Sequence, residues 1–290
     1  MMQHVIPVIV DTVALRELQH AHSEPGALVL ADVRWYLDGR NGRAAYESGH
    51  LPGAVWVDLD HDLAAHGAAP TEGRHPVPAA DAFADAMGTL GIGDDTVVVA
   101  YDDTGGLTAG RLVVMLRMLG RSAAVLDGGL AAWTGDGGEL HQGSVAPSAA
   151  DFTPTAWPAD RLATADETAA LATGGHETGI VMDARSSERF TGEVAQIDPR
   201  PGHVPGAVNA PWSAVLGPNS RMHSPDDLRA HYQELGVRED VPTVTYCGSG
   251  VSACMNILAM ERAGFASPRL YVASWSGWSS DPERPAEIGR

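Results

Sequence analysis

The chain has 290 residues, 44% of them hydrophobic and 19% charged, enough apolar material for one large domain or two ordinary ones, which excludes wholesale disorder. Its formal net charge of −18 repels phosphate backbones and anionic lipid, which argues against nucleic acid and membrane partners; an anionic substrate would need a local cradle of Arg side chains or backbone N–H groups. Two cysteines, Cys247 and Cys254, are too few for a disulfide scaffold, and no uncharged apolar run reaches the ~18 residues of a membrane span, so the expectation is a reduced, cytoplasmic protein.

Met1 to Val10 has no basic region ahead of its short apolar run and does not read as a signal peptide. Val29 to Arg34 is a short apolar strand ending in Asp-X-Arg, followed by Gly49-His50-Leu51-Pro52-Gly53-Ala54-Val55. A helical stretch then ends at Gly91, a residue type suited to a helix C-cap. Val97 to Ala100 reads as a buried central strand, Asp102 follows it, Thr108 to Leu119 reads as a helix, and Asp127 to Trp133 ends the series. Gly135 to Ala159 is rich in Gly, Ser, Ala and Pro with little periodicity, as a linker would be. Then the series begins again. Ile180 to Arg185 is a second Asp-X-Arg strand, and Gly202-His203-Val204-Pro205-Gly206-Ala207-Val208 repeats the turn motif. Gly236 stands where Gly91 stood, and Thr243 to Thr245 is a second central strand. Cys247 falls where Asp102 fell, Val251 to Ala263 is the helix, and Tyr271 to Trp278 closes the copy.

Four blocks in one order, at spacings that drift by only a few residues, are a duplication. Short β-branched runs alternate with helical stretches in each copy, the pattern of βαβ units. The expected fold is therefore α/β, two tandem domains, each a mostly parallel sheet flanked by helices. The bounds read as residues 5–139 for the first domain, 140–165 for a linker and 166–285 for the second.

Cys247-Gly248-Ser249-Gly250-Val251-Ser252 lies directly between a buried strand and a helix. Sites in parallel sheets lie beyond the C-terminal ends of strands, where loops enter helices. A tight glycine-containing turn there aims backbone N–H groups inward, and the helix start adds positive potential. A cysteine at the head of such a loop ionises below its free pKa of about 8.5 and becomes a nucleophile. The first copy has Asp102 at that place, so only the second copy carries the thiol. Cys254, on an apolar stretch of the following helix, reads as core packing.

These motifs resemble those of tandem-domain rhodanese-type sulfurtransferases over about residues 5 to 285. The two Gly-His-X-Pro-Gly-Ala segments resemble the family's N-terminal signature. Tyr271-Val272-Ala273-Ser274-Trp275-Ser276-Gly277-Trp278 resembles its C-terminal signature, with Ala273 where Gly is commoner. The resemblance implies an inactive first domain and an active second one. There the loop cysteine takes sulfur from a donor as a persulfide and hands it to a nucleophilic acceptor.

Thiosulfate-preferring members carry basic residues straight after the cysteine. Gly248 and Ser249 stand there in this chain, so the loop resembles that of 3-mercaptopyruvate sulfurtransferases. That resemblance implies a proton relay of Ser249, His75 and Asp60, with Asp58 as the competing choice for the acid. It also implies that Arg189, with Arg200, clamps the donor carboxylate, and that Gly248, Gly250, Val251 and Ser252 form the cradle. Arg185, repeated as Arg34, reads as a structural ion-pairing residue, and Trp35 as packing.

A phosphatase of the same scaffold needs Arg six positions after the cysteine, and Ala253 is there. No Gly-X-Ser-X-Gly elbow of a serine hydrolase sits at a strand-to-helix turn, and the twelve His form no metal pattern. The reading calls for no cofactor and no metal. The expected partners are a small anionic sulfur donor and a thiol, cyanide or thioredoxin-like acceptor, with the chain a monomer. The alternatives are a thiosulfate:cyanide sulfurtransferase and a non-catalytic persulfide carrier.

Overall fold

A computed structural model describes residues 6–175, 177–195 and 197–289, so the expected first residue of the first domain, Val5, lies outside the described residues. The chain divides into two units. The first comprises the chain up to Ala64 with Pro78–Trp157 and Gly217–Met222; the second comprises Ala65–Val77, Pro158–Leu216 and the chain from His223 onward.

In the first unit five strands, β1 Ile9–Val10, β2 Leu28–Asp32, β3 Val55–Trp56, β4 Val97–Tyr101 and β5 Ala123–Leu126, form a parallel sheet in the order β1-β5-β4-β2-β3. Its helices are α1 Thr12–Ala21, α2 Gly42–Ser48, α3 Ala80–Thr89, α4 Ala109–Met118 and α5 Gly129–Gly135. The second unit has β6 Ile180–Asp183, β7 Val208–Asn209, β8 Thr243–Tyr246 and β9 Arg269–Leu270 in the parallel order β7-β6-β8-β9. A single parallel bridge from Leu162 to Leu270 stands where β1 pairs with β5 in the first unit. Its helices are α6 Ala165–Thr173, α7 Ser187–Thr191, α8 Pro225–Glu234, α9 Ala253–Arg262 and α10 Ser274–Ser280. The central strands β4 and β8 are buried along their whole length, which is why they read as uninterrupted apolar or β-branched runs. Among the described residues no helix is long and apolar enough to cross a membrane.

The repeated motifs turn out to be the joints of each unit. In Leu51-Pro52-Gly53-Ala54 the Ala54 amide donates to the Leu51 carbonyl at 2.9 Å, with Gly53 at φ +77°. Val204 to Ala207 repeats the turn at 3.0 Å, with Gly206 at φ +82°. Proline second and a positive-φ glycine third is the type II pattern. The histidine before each turn stacks on the ring that precedes it, His50 on Tyr46 at 4.2 Å and His203 on Phe190 at 3.6 Å between centroids. The Asp-X-Arg pairs are buried salt bridges of 2.6 Å, Arg34 to Asp32 and Arg185 to Asp183. Each guanidinium also donates to the motif glycine carbonyl, Gly49 or Gly202, at 2.7 Å. Removing one partner of such a buried pair costs about 3–5 kcal/mol. Gly91 at φ +76° and Gly236 at φ +90° follow α3 and α8 in the expected capping role. The next amides, Ile92 and Val237, reach back to the Met87 and Tyr232 carbonyls at 2.9 Å.

The stretch expected as a linker divides at Trp157. Before it the backbone is ordered on the first unit without forming a helix or strand: His141 and His50 exchange amide-to-carbonyl bonds of 2.9 Å, and Phe152 meets Phe83 edge-on at 5.8 Å. Residues 65–77 fold with the second unit because their short 3-10 turn, Pro70–Glu72, packs on α10. Gly73, at φ +84°, lies so close that a Cβ there would stand 2.4 Å from the Ala273 carbonyl oxygen.

Candidate active site

Residues 65–77 bring Arg74 and His75 into the second unit, and the loop after β8 is built among them. Cys247 heads that loop, about 1% exposed. Its amide donates to Ser274 Oγ at 3.1 Å, and its carbonyl accepts the Trp275 amide at 2.9 Å. The Gly248 carbonyl accepts the Ser276 amide at 3.0 Å. The start of α10 thus holds the loop's first two carbonyls. Ser274 pays for this with backbone strain at φ +53°, an αL cost of about 1–2 kcal/mol for a residue with a Cβ. Its hydroxyl donates onward to the Tyr271 carbonyl at 2.9 Å.

Burial pushes the Cys247 thiol up, but the Ser252 hydroxyl and the amides of Ser249 and Ala253 point at the sulfur and outweigh it. The net result is a thiol held below its usual range, despite the negative charge of Asp183 nearby. Gly250 supplies the turn at φ +76°, and its carbonyl accepts the Cys254 thiol at 3.4 Å. The Val251 carbonyl takes the Cys254 amide at 3.1 Å, and the Ser252 carbonyl takes that of Met255 at the same distance. Cys254 itself is fully buried in α9.

Ser249 Oγ lies 2.8 Å from His75 Nδ1, and both residues are buried. The Arg74 amide next to it donates to Ser276 Oγ at 3.0 Å, which ties this stretch to α10. Asp60 belongs to the first unit, where its carboxylate accepts the Trp35 indole N–H at 2.8 Å. Asp58 accepts its own turn instead, from the Asp60 amide at 2.9 Å and from His61 Nδ1 at 2.9 Å.

Arg189, in the middle of α7, is held by Asp198 through Nε at 3.1 Å and Nη2 at 2.7 Å. Asp198 is almost wholly buried and also meets Arg185 at 3.4 Å and Arg74 at 3.5 Å. A Cβ built on Gly248 would stand 2.9 Å from Nη2 of both Arg189 and Arg74, so two guanidiniums flank the peptide beside the thiol. Arg200, expected beside Arg189 on the donor carboxylate, turns its Nε and Nη2 to backbone carbonyls instead. It donates to the carbonyls of Ser279 and Asp281 at 3.0 Å and of Arg284 at 2.9 Å, closing the end of α10, where carbonyls lack intrahelical donors. Sequence reasoning missed Arg74, Asp198 and Ser274. The one local signal is that Arg74 directly precedes His75 in the sequence. Among the described residues no group of His, Cys, Asp and Glu gathers as a metal site.

The corresponding loop of the first unit closes on a side chain of its own. Asp102, about 1% exposed, accepts the amides of Thr104, Gly106, Thr108 and Ala109 at 2.8–3.0 Å and the Thr108 hydroxyl at 3.0 Å.

The model of the rhodanese-like domain matches residues 15–136 and 164–281. A Pseudomonas aeruginosa protein provisionally named a 3-mercaptopyruvate sulfurtransferase is 40% identical over 92% of this chain and 94% of its own. A Mycobacterium tuberculosis protein with a provisional thiosulfate sulfurtransferase name is 38% identical over 90% of both. The crystal structure of SseA, a 3-mercaptopyruvate sulfotransferase from Escherichia coli, superposes with a TM-score of 0.80 at 30% identity, covering 93% of this chain and 99% of that one.

Proposed function

The chain belongs to the rhodanese-like domain family, in two tandem copies, and is a sulfurtransferase; from that premise we propose that it takes sulfur from 3-mercaptopyruvate onto Cys247 and passes it to a thiol or to cyanide. The observation that carries the donor is Ser249, 2.8 Å from His75 Nδ1, an uncharged residue in the loop position where thiosulfate-preferring relatives place cations.

The Cys247 thiolate attacks the donor sulfur, an S–S bond forms, and the C–S electron pair leaves with the three-carbon fragment as the enolate of pyruvate. The donor's thiol proton stays on the new persulfide. The enolate takes one proton and becomes pyruvate. Ser249 Oγ donates to the developing enolate oxygen, and His75 Nδ1, 2.8 Å from Oγ, relays the proton that the enolate takes. Arg189 holds the carboxylate end, and the acceptor's lone pair then attacks the outer sulfur and releases the Cys247 thiolate. Asp60 belongs to this relay on the sequence resemblance. A second reading has thiosulfate as donor, supported by the provisional name of the Mycobacterium tuberculosis relative and by the pair of guanidiniums beside Gly248.

The test is kcat/KM for 3-mercaptopyruvate and thiosulfate side by side, with cyanide and then a small thiol as acceptor. The expected result is a clear preference for mercaptopyruvate that Ser249→Ala reduces by about 10²-fold in kcat. A preference for thiosulfate would overturn the donor, and turnover of neither would leave a persulfide carrier.

A further inference from the structure

We infer that Arg74, and not Arg200, is the second cation that binds the donor's carboxylate, an assignment that rests on the mercaptopyruvate reading. Three constraints aim its side chain. The backbone cannot withdraw, because Gly73 is pressed on the Ala273 carbonyl and the Arg74 amide is bonded to Ser276 Oγ at 3.0 Å. Nη1 is engaged by the Ile197 carbonyl at 3.1 Å and by Asp198 at 3.5 Å. Nη2 is thereby presented to Gly248, where a Cβ would lie 2.9 Å away, the same distance as from Arg189 Nη2.

The two guanidiniums share one buried carboxylate and converge on one peptide next to the reactive thiol. Their side chains are 33% and 22% exposed, so a small solute reaches both, whereas Arg185, at 1%, is out of reach. Arg74, Arg185 and Arg189 outnumber Asp183 and Asp198 by one positive charge, a local reversal in a chain of net charge −18. The absence of a side chain at Gly248 leaves the space in which an acid group would lie between the two forks. The carboxylate of mercaptopyruvate is three bonds from its sulfur, a length suited to a cation pair flanking the residue after the nucleophile.

The test compares wild type, Arg74→Ala and Arg74→Lys with 3-mercaptopyruvate and with 1-mercapto-2-propanone, which has the same sulfur and ketone but no carboxylate. The expected result is a KM for mercaptopyruvate raised at least tenfold by Arg74→Ala. The loss in kcat/KM should exceed that for mercaptopropanone at least tenfold, and Arg74→Lys should restore part of it. An unchanged KM, or equal losses with both donors, overturns the assignment, the second result marking Arg74 as structural. If wild type turns over thiosulfate in preference to mercaptopyruvate, the donor reading fails and this assignment to a carboxylate falls with it. If wild type prefers mercaptopyruvate and Arg74→Ala is silent, only the Arg74 assignment fails.

Discussion

The loop after β4 and the loop after β8 are one device with two fillings. Both leave the end of a buried strand, turn through glycine and enter a helix, and both aim amide and hydroxyl donors at one point. In the first, Asp102 fills that point with a carboxylate that accepts five hydrogen bonds. In the second, Cys247 puts a sulfur there, and donors from Ser249, Ser252 and Ala253 stabilise its ionised form. Thr108 and Ser252, each just before its helix, supply the hydroxyl in both. An anion cradle is therefore a property of the scaffold. The proposed chemistry needs the second filling, because only a thiolate can take up sulfur.

A second contrast lies in the support. Gly129 follows Gly128 at φ +52°, so close under Asp102 that a Cβ would stand 2.2 Å from its carbonyl oxygen. Ser274 adopts φ +53° at the matching place in the second unit, although it carries a Cβ. What the second copy gains is the hydroxyl that accepts the Cys247 amide.

The largest expected effect comes from emptying the second cradle of its thiol. Cys247→Ser should lower sulfur transfer by at least about 10³-fold in steady-state assays, with the melting temperature nearly unchanged. Turnover retained within tenfold would break the comparison, because the two loops would then differ in nothing that matters. Emptying the first cradle should do the converse. Asp102→Ala leaves four amides and a hydroxyl without their acceptor and should cost about 3 kcal/mol in denaturant unfolding, while kcat/KM stays within twofold. A fall in activity without loss of stability would give Asp102 a functional role and sink the contrast.

The finest expected effect concerns how the second cradle sets the thiol. Alkylation of Cys247 should persist to lower pH than that of a free thiol, and Ser252→Ala should move its midpoint upward. An unmoved midpoint would assign the depression to the amides alone. Because the folded pKa is the lower one, the ionised thiol adds stability above the pKa of an unfolded cysteine. That contribution is lost as pH falls through the folded value.

Much of this was legible without coordinates because it is written in local or repeated patterns. Buried parallel strands are short apolar runs, glycines in positive-φ turns recur at fixed places, and a duplication shows itself by its order. Cys247 stood out because a thiol replaced Asp102 in an otherwise shared frame. The assignment of arginines was not legible. Arg200 and Arg74 lie far apart in sequence, and nothing local tells which guanidinium is spent on the end of α10 and which faces Gly248.

The sequence by itself determined the two-copy α/β fold, the strand-to-helix loop and the place of Cys247 at its head, since each depends on residue type at short range or on comparison of one copy with the other. Only the tertiary structure decided that residues 65–77 fold with the second unit, that His75 meets Ser249, and that Asp198 gathers Arg74, Arg185 and Arg189. The physical reason is that a long side chain carries no signal of its partner. A guanidinium goes to whichever carboxylate or carbonyl the packed backbone leaves without a donor, and that is settled only when segments remote in sequence come to lie side by side.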